Sequence, residues 1–121
     1  MFMKAISKIV AVLLGTTTAL AEEQAVIVSF QYGLESLDEL YGLENTLETA
    51  LAEVGEYDGH EIAADLSDGR LYIYGPDADV LATTALPIFR RYGFMNGAKL
   101  EVRYGPPKDG VKTREIVVSR D

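Results

Sequence analysis

The chain has 121 residues, no cysteine and a formal net charge of −8. Without cysteine there is no disulfide framework, so the core must come from packing alone. The excess of acid would repel phosphate backbones, which argues against a nucleic-acid binder.

The first residues, MFMKAISKIVAVLLGTTTALAEEQ, place Lys4 and Lys8 before a short apolar run, then Ala19-Leu20-Ala21 before an acidic stretch. Charged, apolar and small segments in that order read as a secretory signal peptide over residues 1–21. The apolar run is far below the roughly 20 residues of a membrane span, and no cysteine follows it to carry a lipid. We therefore expect a periplasmic or secreted protein beginning at Glu22, with no stable membrane anchor. The rival reading is an unprocessed cytosolic chain with a misassigned start. Residues 22–121 then amount to a single domain, large enough to bury roughly two thirds of its unfolded surface.

The leader holds two of the eleven basic residues and none of the nineteen acids, so the mature charge is −10. Between Glu22 and Asp68 stand thirteen acids and no Lys or Arg, whereas Arg70 to Asp121 carries nine basic residues against six acids. Such asymmetry speaks to partners and steering, not to fold.

In chain order, residues 25–32 (AVIVSFQY) are rich in β-branched and aromatic types and read as a central strand. Ser36-Leu37-Asp38-Glu39 fits a Ser-x-x-Glu capping box, so a helix is expected from Ser36. Leu40, Leu43, Leu47, Ala50, Leu51 and Val54 form its apolar stripe, with Glu44, Glu48 and Glu53 off the stripe and Gly55 as its stop. Residues 60–66 alternate Ile62, Ala64 and Leu66 against Glu61, Ala63 and Asp65, which predicts a half-buried strand. Ser67-Asp68-Gly69 supplies a turn, and residues 70–74 the return strand of a hairpin.

"GPDAD", residues 75–79, reads as a strand-to-helix junction. Pro76 suits the first helical position, and Asp77 and Asp79 suit the positive end of the helix dipole. Those acids sit where a phosphate would need positive potential, and they are too few for a calcium loop. Leu81, Ala85, Ile88, Phe89 and Tyr92 continue the helix, Pro87 should kink it, and Arg90 and Arg91 favour its end. Residues 99–104 alternate Leu100, Val102 and Tyr104 inward with Lys99, Glu101 and Arg103 outward. Residues 111–119 should close a terminal hairpin.

Strand, helix, strand, strand, helix, strand and one extra strand predict an α+β fold: a ferredoxin-like plait with an additional C-terminal strand forming a terminal β-hairpin. "YDGHEI", "LYIYGPDADVL" and "RYGPPKDGV" resemble stretches of small bacterial proteins of no assigned activity. That resemblance implies one compact ferredoxin-like domain and brings no catalytic residue.

Chemistry is thinly signalled. His60 is the single histidine, and beside Ser29, Ser36 or Ser67 it shows no local signature of a triad. Asp58-Gly59-His60-Glu61 mixes possible metal ligands, but neighbours on a strand diverge and no second His or Cys completes a set. No catalytic residue, metal or cofactor is expected. Paired carboxylates, with or without a divalent cation, leave a small hydrolase as the alternative. Tyr72 and Tyr74 alternate with Leu71 and Ile73, so they should stand on the sheet face away from the helices. There they would either pack under the terminal hairpin or contact a protein or small ligand. The leading expectation is a non-enzymatic binding domain, of inhibitor or immunity type for example. It would offer the acidic helix face (Asp38, Glu39, Glu44, Glu48, Glu53) to a basic protein partner, opposite a flank carrying Lys99, Arg103, Lys108, Lys112 and Arg114.

Overall fold

The computed structural model describes residues 23–119; the expected leader lies outside the described residues. The fold is α+β, an antiparallel sheet of five strands with two helices. The strands are β1 (Gln24–Gln31), β2 (Glu56–Ile62), β3 (Asp68–Gly75), β4 (Lys99–Arg103) and β5 (Thr113–Val117). The helices are α1 (Asp38–Leu51) and α2 (Ala78–Phe89), and the sheet order is β2-β3-β1-β4-β5.

Antiparallel pairing sets the core in rows. Val26 stands between Ile73 and Val102, and Val28 between Leu71 and Leu100. All six are fully buried, against Leu40, Leu43, Leu47 and Leu51 of α1 and Leu81, Ala85 and Phe89 of α2. Because these strand residues share one pleat direction, both helices cover the same face of the sheet. The other face holds residues 25, 27 and 29 of β1, 70, 72 and 74 of β3, and 99, 101 and 103 of β4. Beyond β1, the rings of Phe30, Tyr32, Tyr92 and Phe94 meet edge to face, with Tyr32 and Phe94 centroids 4.9 Å apart.

Several local expectations shift. Helix α1 starts at Asp38, not Ser36, and the capping box does not form. Its N-cap is Leu37 without a side-chain bond, while the Ser36 hydroxyl accepts only the Asp38 N–H, at 3.3 Å. Ala50 is exposed rather than part of the stripe, whereas Glu44 is buried. Strand β2 begins at Glu56, where Tyr57 packs opposite Ile73, and it ends at Ile62. The alternation across residues 62–66 fails because the Ala63 N–H bonds Asp68 O and closes the hairpin early. Leu66 there adopts φ 63, a left-handed conformation unusual for leucine. A bulge at Asp58 shifts the β2–β3 register, with Gly59 at φ 110.

The 75–79 junction is a cap, but Asp77 itself is the N-cap, accepting the N–H groups of Asp79 and Val80, so Pro76 precedes the helix. Pro87 lies in the last turn and α2 ends two residues later. Strand β5 pairs with β4 along its whole length without a bulge. The terminal hairpin therefore widens the sheet and does not fold over Tyr72 and Tyr74.

The candidate binding face and the buried Glu44 cluster

Two places gather chemistry, one on each side of the sheet. Under α1, Tyr57 and His60 of β2 point inward, and Glu44 reaches toward them. The Tyr57 hydroxyl donates to Glu44 Oε2, and His60 Nδ1 donates to the same oxygen at 2.8 Å. The three side chains are nearly enclosed, with His60 19% and Glu44 12% exposed. Burial first, then the hydrogen bond to Glu44, pushes the Tyr57 hydroxyl far above the ordinary tyrosine range. Glu44 is thus an internal acceptor rather than a member of an exposed acidic face. The rest of that expected set, Asp38, Glu39, Glu48 and Glu53, is exposed.

The His60 triads do not assemble. Ser29 lies on the opposite face of the sheet from His60. The Ser36 hydroxyl faces the Asp38 N–H, and Ser67 sits in the β2–β3 turn with its N–H on Asp65. The metal ligands of residues 58–61 diverge as well: His60 turns to Glu44, while Glu61 accepts the Tyr72 hydroxyl at 2.5 Å on the other face. Among the described residues no group of three His, Cys, Asp or Glu is placed to hold a metal ion.

The face that no described helix covers is built from three rows across β3, β1 and β4, all of which extend onto β5. Tyr74, Ala25, Arg103 and Thr113 form the first. Ala25 is fully buried although no described helix covers this side, and its cross-strand neighbours are Tyr74 and Arg103. Arg103 is held there by its Nε, which donates to Gly105 O at 2.7 Å. The second row is Tyr72, Ile27, Glu101 and Glu115, and the third is Arg70, Ser29, Lys99 and Val117. Tyr72 and Tyr74 are half-buried. The hydrogen bond to Glu61 leads in raising the pKa of Tyr72, and burial leads for Tyr74.

Two shallow concavities open on this face, of about 430 Å³ and 790 Å³, and both are lined by Ser29, Arg70 and Lys99. Periodicity assigned Lys99, Glu101 and Arg103 outward but did not bring Ser29 and Arg70 beside them. The link is the β3-β1-β4 register, which a single strand's alternation does not contain.

The charge split becomes spatial. Acid-rich α1 packs on β2 at one border of the sheet, and β4 with the basic hairpin lies at the other. Asp79 bridges toward the basic side: its Oδ1 accepts from the Tyr104 hydroxyl at 2.7 Å and from Arg114 at 3.0 Å, which lowers its pKa. No described helix is long and apolar enough to cross a membrane. No family model, curated protein or solved structure matches this chain, so the phrases quoted above carry no family membership.

Proposed function

We propose that this chain is an exported, non-enzymatic binding domain whose principal working surface is the uncovered sheet face around Tyr72. The observation that carries the reading is the position of β5 beside β4, which leaves that face without a covering layer among the described residues while it displays tyrosines among charged side chains. Aromatic groups rimmed by charge are what a protein contact site uses for area and orientation. The exposed acids Asp38, Glu39, Glu48 and Glu53 form a second surface, suited to steering a basic partner. The ferredoxin-like plait with an appended strand remains our reading of the architecture. Two strand–helix–strand units with both helices on one face support it.

A photo-crosslinking amino acid at position 72 of the exported chain tests the reading, with position 83 on exposed α2 surface and position 48 on the acidic helix as comparisons. Adducts from 72 and none from 83 are expected. Adducts from 48 alone would transfer the site to the acidic helix, and equal yields from 72 and 83 would end the proposal. Export is checked by mass spectrometry of the purified protein, with Glu22 as the expected first residue. An intact Met1 would remove it.

The hydrolase alternative has one observation in its favour: Glu101 and Glu115 stand directly opposite each other on the same face. Turnover of p-nitrophenyl esters or glycosides that disappears in Glu115→Gln would favour it over the binder.

A further inference from the structure

Five charged residues line the concavity between β3 and β5: Arg114 is paired with Asp79, and the other four are sorted by row. Arg70 and Lys99 flank Ser29 in one row, and Glu101 faces Glu115 in the next. These four and Ser29 line the same hollow. Like charges directly opposite on paired strands destabilise a sheet. Cross-strand pairing of a cation with an acid would have relieved that, yet among the described residues none of the four charged groups is ion-paired. Glu61, the acid opposite Arg70 on β2, is engaged by the Tyr72 hydroxyl instead.

We infer that this hollow binds a zwitterion, an ammonium-bearing phosphate ester, with its phosphate on Arg70, Ser29 and Lys99 and its ammonium between Glu101 and Glu115. The inference rests on the sheet face being a working surface and goes beyond it by naming a ligand. Arg70 and Lys99 lie on opposite sides of β1, about 10 Å apart at Cα. With the Ser29 hydroxyl between them they approach a bound group from three directions. A tetrahedral oxyanion offers a separate oxygen to each, which a planar carboxylate does not. The acid pair lies two residues further along the strands, about 6.6 Å away. That spacing suits the two ends of a short phosphorylated amino alcohol. The Tyr72 ring stands in the same row as the acids, where a cation also gains from an aromatic face. The ammonium offsets part of the phosphate charge, so such a ligand suits a chain whose overall charge is −8 better than bare phosphate does.

The shared headgroup chemistry has two sources, a free small molecule and a lipid surface. NMR titrations of the full chain with phosphoethanolamine, inorganic phosphate, ethanolamine and β-alanine test the site, beside flotation with phosphatidylethanolamine vesicles. We expect saturable shifts centred on residues 29, 70 and 99 with phosphoethanolamine, at least about tenfold tighter than with any of the other three. Arg70→Gln and Lys99→Gln should each weaken phosphoethanolamine and phosphate about fivefold. Glu115→Gln should weaken phosphoethanolamine without weakening phosphate, and Arg91→Ala should change neither. Binding to vesicles but not to soluble phosphoethanolamine, β-alanine binding as tightly as phosphoethanolamine, or equal losses in Arg91→Ala would overturn the assignment. Vesicle binding added to soluble binding identifies the lipid source; soluble binding alone identifies the free one. Crosslinking at position 72 reads a protein partner and the titration reads a small ligand, so failure of one is distinguishable from failure of the other.

Discussion

Replacing Glu44 by alanine removes the acceptor shared by the Tyr57 hydroxyl and the His60 ring, leaving a nearly enclosed donor on each. Stability should fall by about 2–4 kcal/mol, and Glu44→Gln, which keeps a carbonyl acceptor, should cost about half as much. Urea titration gives both values. Tyr57 adds a pH dependence of known sign. Its hydroxyl keeps its proton in the fold well above the pH at which the unfolded chain loses it, near the ordinary value of 10.0. Stability from this group is complete below that pH and drains away as the solution becomes more alkaline, by up to about 1.4 kcal/mol per pH unit. Tyr57→Phe should make the alkaline limb of a pH–stability curve shallower; an unchanged slope would remove the argument. None of this was legible at residue scale. Glu44 lies four residues after Leu40 and three before Leu47, so it shares their side of α1. Charge alone assigned it to water, and only the approach of Tyr57 and His60 from β2 reverses that.

Helix starts divide the two junctions at the scale of elements. Asp77 caps two N–H groups of α2, so Asp77→Ala should cost about 1 kcal/mol, while Ser36→Ala before α1 should cost only a few tenths. Thermal melts of the two variants separate them. The turn after α1 is fixed differently. A Cβ on Gly55 would stand 2.4 Å from Tyr74 O and 2.6 Å from a Leu81 methyl, because the chain passes there against the end of β3. Gly55→Ala should therefore destabilise by about 2 kcal/mol or more, with no ligand or partner involved. The types and order of the elements were readable from apolar period and turn residues. Their ends were not, since residues 62–66 alternate like a strand while the backbone between Ala63 and Asp68 closes a turn. The position of the last strand also lay beyond the sequence: a run like residues 111–119 fits equally well folded over a sheet or added to its border.

Across the whole molecule, acids crowd onto α1 and β2 while, Arg70 on β3 apart, the basic residues of β4 and β5 lie three to four strand spacings away, roughly 14–19 Å. At physiological salt that distance exceeds the Debye length of about 8 Å, so repulsion within the acidic flank is felt more than attraction between flanks. Raising NaCl from 10 to 150 mM should increase Tm by a few degrees; a decrease would mean that cross-molecule pairing dominates. The uneven charge was visible in the sequence, and the topology converts it into two opposed sides.

The two borders of the sheet are not equivalent. At β2 the bulge and Gly59 interrupt the ladder. At β5, Lys112 O and Val118 N and O bond toward β4, so by alternation Thr113, Glu115 and Val117 turn their N–H and C=O groups outward in an unbroken row. A growing stack of copies needs two adhesive margins on each molecule, and this one has a single margin. Any self-association through backbone pairing should stop at a dimer joined β5 to β5, so concentrated solutions should scatter light as one or two copies and not lengthen into fibres.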